Sequence, residues 1–332
     1  MRLSKKILLS LSVCVVITAA LARYFVYVPV IEPPALTGAL TDQVLDVSGT
    51  ERRFAVYQPA QLVESVESVA AVIMLHGARG SGARIRRVSG YGFDTLADNH
   101  GFVVAYPEAY ERHWNDCLAA AEYRANIMNI DDVAFMRELV SLLVDEYAVN
   151  RDQIFVAGLA NGGQMAYRLA LEAPDLVRAA AVIAANLPTE QNQSCTPAEK
   201  ALPVMIVNGT ADPINPFDGG EVTLIGPFIS RGTVRSAQAS AQYWADLAGY
   251  SAEPFFHHYP DSNAGDGSFA ERMVWSAPGR PEIALVTIDG GGHTIPGPGP
   301  EFPHFLGPVN RDFSAIEEVW RFFAREMEVT AL

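Results

Sequence analysis

Two glycines bracket the segment with the clearest chemical pattern in the chain. Residues 154–163 have the pattern of a strand, a sharp turn and a helix, and Gly158 and Gly162 flank Ala160 in the turn. The spacing fits the G-x-S-x-G nucleophile elbow, in which the central side chain attacks a carbonyl carbon. Because a methyl group cannot attack, the pattern predicts a nucleophile position without its nucleophile. The alternative is a generic glycine-rich turn, including one that binds phosphate.

Two further side chains match the partners that such an elbow requires. In this arrangement an acid and then a histidine follow the nucleophile along the chain. Asp212 comes after the apolar run 203–207, and His293 comes after the run 283–288 and three glycines. We therefore expect Asp212 to orient the imidazole of His293 for proton transfer. Taken singly, an aspartate before a proline is also a common turn signal, and a lone histidine is more often structural.

The loop after the first core strand predicts a pair of backbone N–H groups that stabilise negative charge. His76, Gly77 and Ala78 directly follow the apolar run 69–75. A loop at this place supplies one donor of an oxyanion hole, and the residue after the nucleophile supplies the other. We therefore predict Ala78 and Asn161 as the two donors.

Alternating apolar runs and helical patterns must position these residues. The predicted strands are 53–57, 69–75, 102–106, 153–157, 179–184, 203–207 and 283–288, and the predicted helices are 93–99, 131–147, 162–171, 238–247 and 313–326. Strands separated by helix-length segments pair in parallel with right-handed crossovers. The sequence therefore predicts a single-domain α/β fold with a mostly parallel, doubly wound sheet. Its functional loops lie beyond the carboxyl ends of the strands.

The N-terminal residues differ in composition from this fold. Residues 1–22 begin with basic residues, continue with an apolar run and end in a small-x-small motif. This is the pattern of a secretory signal peptide, which predicts a secreted or periplasmic protein. An uncleaved signal that anchors the chain to a membrane is the alternative, because residues 24–31 are also apolar. We place a linker at 23–40 and the α/β domain at 41–328, with residues 215–233 as a surface insertion.

Composition restricts the possible partners. The formal net charge of −14 argues against nucleic acid, because phosphate binding needs clustered lysine and arginine. No constellation of metal ligands stands out, and no cofactor is implied. Cys117 and Cys195 fall in loops that follow strands at the same predicted sheet edge. This position favours a disulfide, with two buried free thiols as the alternative.

Six short motifs form an ordered set over about residues 45–300. They are Leu75-His76-Gly77, Trp114-Asn115-Asp116, Asp131-Asp132-Val133, Gly158-Leu159-Ala160-Asn161-Gly162-Gly163, Gly209-Thr210-Ala211-Asp212 and Gly291-Gly292-His293-Thr294. As a set they resemble the poly(3-hydroxybutyrate) depolymerase and feruloyl-esterase-like family of secreted α/β-hydrolases. The resemblance implies an α/β-hydrolase fold, an ester substrate or polymer ligand, Asp212 as the triad acid and His293 as the general base.

Three departures from the family pattern affect the expected function. Ala160 stands at the serine position, Asn208 where the family has a histidine, and Ile295 where the family has a tryptophan. The first departure puts hydrolysis in doubt, and the third alters the expected wall of the substrate pocket. We predict Trp114 and Ile295 as substrate-binding residues, with packing as the alternative for Trp114.

Three hypotheses about function stay open at this point. The first is an impaired or inactive member of the esterase family that still binds an acyl or polymer ligand. The second is an active hydrolase, either by an unusual mechanism or as a serine-to-alanine variant of an active parent. The third is a non-catalytic binding protein that reuses the fold, because a fold does not fix function.

Overall fold

A ten-stranded sheet runs through the centre of the protein. The computed structural model describes residues 14–15, 17–18, 20–21, 23–63, 68–224, 229–263, 265–299 and 301–328. The strands are β1 (Ala39–Val47), β2 (Thr50–Gln58), β3 (Val69–Leu75), β4 (Val103–Pro107), β5 (Val149–Leu159), β6 (Ala179–Ile183), β7 (Val204–Gly209), β8 (Gly220–Thr223), β9 (Ser230–Val234), β10 (Phe255–His258), β11 (Phe269–Trp275) and β12 (Ile283–Asp289). The order in the large sheet is β1-β2-β4-β3-β5-β6-β7-β12-β11-β10, and β8 pairs with β9 separately.

The middle of the sheet is parallel and its edges are antiparallel. Strands β4, β3, β5, β6, β7 and β12 pair in parallel, whereas β1, β2, β11 and β10 join in antiparallel fashion. A parallel strand is covered on both faces and therefore carries a continuous apolar run. Strand β3 has this character, since its residues after Val69 are all buried.

Helices cover both faces of the sheet. Within the described residues they are α1 (Gly82–Val88), α2 (Gly92–His100), α3 (Arg124–Ile127), α4 (Asp132–Tyr147), α5 (Asn161–Glu172), α6 (Ala237–Leu247) and α7 (Ala315–Glu328). One hydrophobic core includes buried residues of α4, α5 and α6, and a second core includes residues of α1, α2 and α7. This arrangement confirms the predicted α/β fold with a mostly parallel, doubly wound sheet.

Part of the segment predicted as a linker, residues 23–40, has regular structure. Strand β1 begins at Ala39, inside the segment predicted as a linker, and residues 23–26 are helical. Residues 1–13, which include the basic part of the predicted signal peptide, lie outside the described residues, so the signal peptide stays a prediction. No helix in the described part of the chain is long and apolar enough to cross a membrane.

Candidate active site

The turn after β5 holds its central residue in a rare backbone conformation. β5 ends at Leu159, α5 begins at Asn161, and Ala160 between them has φ 53° and ψ −115°. A residue with a side chain in such a sparsely populated region costs about 1–3 kcal/mol. A Cβ atom at Gly158 would collide with the carbonyl group of Gly162. The two glycines therefore permit the close approach of strand and helix on which this turn depends.

A hydrogen-bonded acid and imidazole face the same region. Nδ1 of His293 lies 2.7 Å from Oδ2 of Asp212, and the side chains are 9% and 1% exposed. The other oxygen of Asp212 accepts from the N–H groups of Ile214 at 2.7 Å and Asn215 at 2.8 Å. Because a carboxylate only accepts, Nδ1 carries the proton and Nε2 is left as the basic nitrogen. The contact therefore has the form that the predicted acid–base pair requires.

The two predicted oxyanion donors lie at the elbow. Asn161 is the first residue of α5, so its N–H group has no acceptor one turn back in the helix. A Cβ atom at Gly77 would lie 3.5 Å from Cβ of Ala160, so the loop that carries Ala78 passes next to the elbow. Backbone donors at a helix N-terminus stabilise developing negative charge.

Residues 114–116, here called the Trp114 loop, connect both halves of the predicted oxyanion site. Nε1 of Trp114 donates to the carbonyl oxygen of His76 at 2.9 Å. The N–H group of Trp114 donates to Oδ1 of Asn161 at 2.8 Å, and Nδ2 of Asn161 donates to Oδ2 of Asp116 at 2.6 Å. The Trp114 loop therefore holds the His76 loop and the start of α5 in a fixed relation.

A cavity of about 850 Å³ opens beside these residues. Its lining includes Ala78, Ala160, Asn161 and His293, together with parts of the segment 214–231. Such a volume is typical of sites that bind small organic ligands. The elbow, the imidazole and the two predicted donors therefore border one cavity that is large enough for a small organic ligand.

Comparison with known families agrees with this geometry. A sequence profile of the family described as "Esterase PHB depolymerase" matches residues 52–241. The chain belongs to this family. The match includes the elbow, the oxyanion loop and Asp212, whereas His293 lies beyond its end.

Several known proteins that are similar to this chain are described by their names as esterases. "Putative esterase NocK" from Nocardia uniformis subsp. tsuyamanensis is 28% identical over 302 residues, which cover 88% of this chain and 84% of that protein. Feruloyl esterase B from Piromyces equi is 28% identical over 204 residues, which are 59% of this chain and 34% of that enzyme. The structure of an acetyl xylan esterase from Aspergillus awamori matches with a TM-score of 0.52 at 18% identity, covering 76% of this chain and 94% of that one. This structural likeness supports the α/β-hydrolase fold.

The two residues predicted to bind substrate lie outside the wall of the cavity. Trp114 and Ile295 are both fully buried, and neither lines the cavity. Trp114 packs in the core on the α5 face of the sheet, where its indole N–H bonds to the main chain. Ile295 packs in the opposite core, because the chain turns inward after His293. Neither residue lines this cavity, so a substrate-binding role for either stays a prediction, and the packing alternative for Trp114 agrees with its burial.

The predicted disulfide is present between Cys117 and Cys195. The carbonyl oxygen of Cys117 also accepts from the N–H group of Ser194 at 3.0 Å. Since Cys117 directly follows Asp116, the bond fastens the Trp114 loop to the segment after β6. The disulfide therefore supports the loop that holds the oxyanion site.

Burial changes the proton affinity of two groups beside the elbow. Burial lowers the pKa of His76 to about 4, and its Nε2 accepts from the N–H group of Ala109 at 3.1 Å. Burial also raises the pKa of Asp116 to about 6, although the N–H group of Leu118 and the side chain of Asn161 stabilise its charged form. His76 is therefore neutral at pH 7, and Asp116 ionises only near neutrality.

Much of the cavity wall comes from residues that sequence reasoning missed. Tyr123, Arg231 and Phe302 line the cavity and lie in segments of irregular or short structure. The residues predicted as an insertion, 215–233, contain β8 and most of β9, and several of them form one wall. Clustered Gly and Pro gave the only sequence signal here, and it indicated a loop without indicating what the loop covers.

Proposed function

We propose that this protein is an exported member of the PHB depolymerase esterase family that binds carboxylic esters and hydrolyses them weakly or not at all. One observation carries the proposal. The elbow, the Asp212–His293 pair and the oxyanion loop adjoin one cavity, but residue 160 ends in a methyl group. The binding and polarising parts of the machinery are retained, whereas the attacking oxygen is absent.

The chemistry that a serine would perform here explains the expected defect. The serine hydroxyl would lose its proton to Nε2 of His293 and attack the ester carbonyl, and the N–H groups of Ala78 and Asn161 would stabilise the resulting oxyanion. The imidazolium would then protonate the leaving alcohol, and water would release the acid. In a hydrolase with this machinery, loss of the serine reduces kcat by about 10⁶.

A second candidate function is slow hydrolysis by water that His293 activates directly. The observation that favours it is the intact 2.7 Å contact between His293 and Asp212, which leaves Nε2 as the nitrogen without a proton in the neutral ring. A bound water is less constrained than a serine hydroxyl, so the rate would be far below that of a serine enzyme. A non-catalytic binding protein has no chemical need for the acid–imidazole pair, which argues against that alternative.

Export is supported by composition and by the disulfide. The basic and apolar pattern of residues 1–22 matches a secretory signal. Disulfides persist in oxidising compartments outside the cytosol. We therefore place the protein outside the cytoplasm, either released or held by an uncleaved signal.

The test is hydrolysis of a short-chain aryl ester by the native protein and by Ala160→Ser. We expect hydrolysis by the variant at least about 10³ times faster, since the other components are in place. The matched control is Ala160→Ser combined with His293→Ala, which should lose the gain. Equal, substantial rates in native protein and Ala160→Ser would instead support an unusual mechanism. No hydrolysis by either would refute an esterase site and favour a binding role.

A further inference from the structure

Five arginine side chains line the catalytic cavity of a strongly acidic protein. They are Arg79, Arg84, Arg87, Arg124 and Arg231. The whole chain has 24 basic and 38 acidic residues, with a formal net charge of −14. A cavity wall with this many cations is therefore unlike the rest of the surface.

The acidic residues of the wall neutralise only part of this charge. Glu111 pairs with Arg124 at 3.7 Å, and Glu301 pairs with Arg311, which is not a wall residue, at 2.8 Å. Asp116 is fully buried and bonds to Asn161, and Glu122 is the remaining acid of the wall. Four arginines of the wall form no ion pair with any described residue: Arg79, Arg84, Arg87 and Arg231.

Two of these arginines, Arg79 and Arg231, line the cavity together with His113 and Tyr123, and we call these four residues the arginine corner. The guanidinium carbon of Arg231 lies 4.3 Å from the centre of the Tyr123 ring, and His113 stacks on the same ring at 4.3 Å. Burial is the main cause that lowers the pKa of His113; the hydrogen bond to Glu111 raises it, and the charges of Arg79, Arg231 and Arg112 lower it further. The neighbouring positive charges therefore disfavour a charged imidazole at His113.

The arginine corner carries positive charge, and the N–H donors of Arg231 are already held in position. Nδ1 of His113 lies 3.0 Å from the carbonyl oxygen of Glu111, which fits a neutral ring that donates there. The guanidinium of Arg231 is held over Tyr123, and its Nη1 donates to the carbonyl oxygen of Ser230 at 3.0 Å. A preset guanidinium loses little conformational freedom when it binds an anion.

We propose that the arginine corner binds a carboxylate, so that the cavity selects esters that carry a free carboxylate away from the ester bond. The planar, permanently charged guanidinium matches a carboxylate through two parallel N–H donors. A neutral ester would leave Arg79 and Arg231 without an anionic partner. Half-esters of dicarboxylic acids fit this description, and so does the carboxylate end of a soluble oligoester. The interior of a polyester chain does not.

This inference deepens the proposed ester-binding function and rests on it. Its test compares two ligands with the same benzyl ester: monobenzyl succinate, which has a free carboxylate, and benzyl methyl succinate, which has none. Titration calorimetry on the native protein at low salt measures both dissociation constants. We expect the carboxylate ligand to bind at least about tenfold more tightly, which is the usual strength of a charge-assisted contact.

Three variants assign the preference to the corner. Arg231→Gln and Arg79→Gln should each weaken binding of monobenzyl succinate about tenfold or more and leave binding of the neutral diester unchanged. Arg151→Gln is the matched control, because Arg151 is exposed and does not line the cavity. Equal affinity of the native protein for the two ligands would overturn the proposal. So would an equal loss in Arg151→Gln and Arg79→Gln.

Release of benzyl alcohol by Ala160→Ser distinguishes a failure of the carboxylate subsite from a failure of the esterase function. If the variant cleaves both ligands at equal kcat/KM, the carboxylate subsite is wrong and the esterase function stands. If the variant cleaves neither, while the native protein binds monobenzyl succinate in an arginine-dependent way, the esterase function is wrong and the subsite stands.

Discussion

Replacing Asp116 with asparagine should change how the stability of the protein depends on pH. The carboxyl group of Asp116 is buried beside Asn161, and burial raises its pKa from 3.8 to about 6. Between these pH values the folded protein keeps a proton that the unfolded chain has released. The contribution of Asp116 to the free energy of unfolding therefore falls as pH rises through this window.

The expected size follows from the two pKa values. One pKa unit corresponds to about 1.4 kcal/mol, so ionisation of Asp116 costs the folded state about 3 kcal/mol in all. Asparagine is neutral at every pH and has nearly the same shape. The stability of Asp116→Asn minus that of the native protein should therefore rise by about 2 kcal/mol between about pH 4 and pH 7, since part of the change occurs below pH 4.

His76 provides an opposing contribution in the native protein. Burial lowers its pKa from 6.5 to about 4, so the stability of its neutral form is lost as pH falls through this range. The two groups therefore act against each other in the same window. Asp116→Asn removes the contribution of Asp116. The free energy of unfolding of the variant should therefore increase more steeply with pH than that of the native protein.

Urea unfolding followed by tryptophan fluorescence, at pH steps from about 4 to 7, measures this difference. Asp152→Asn is the matched control, because it removes a carboxylate that is exposed at the surface. A stability difference between Asp116→Asn and the native protein that is constant with pH, or that falls as pH rises, would refute the reasoning.

The disulfide and the Trp114 loop each lead to another expected outcome. The double change Cys117→Ser and Cys195→Ser opens a loop whose ends are 78 residues apart. We expect it to lower the free energy of unfolding by about 4–5 kcal/mol; thermal unfolding of variant and native protein measures this, and an unchanged Tm would contradict it. Trp114→Phe in the Ala160→Ser background keeps a buried ring but removes the donor to His76. We expect kcat to fall about tenfold with KM unchanged, because the oxyanion loop loses a support, and an unchanged kcat would contradict that role.

The fold was largely predictable because its central strands carry strong local signals. Strand β3 matches its predicted range of 69–75, and helix α4 differs from its predicted range by one residue. The edge strand β1 was missed because most of its residues are exposed and carry no buried apolar run. Helix α1 was not among the predicted helices, although Ser81 caps it by accepting from the N–H group of Arg84.

The candidate site was predictable only where chain order and sheet topology fix it. Asp212 and His293 follow strands β7 and β12, so the parallel sheet brings them to one edge and into hydrogen-bond contact. The cavity wall depends on how irregular segments fold over that edge, and no periodic pattern encodes this. Trp114 illustrates the limit, since its aromatic type suits a binding surface and a core equally well, and here it lies in the core.

The rare backbone conformation at residue 160 has a consequence for the history of this chain. It depends on the close packing of Gly158 against Gly162 and does not need a hydroxyl group. Every alanine codon becomes a serine codon by changing its first base, so one point mutation separates the two residues. If residue 160 decides hydrolysis as proposed, a single base change switches the activity of this chain without disturbing the turn.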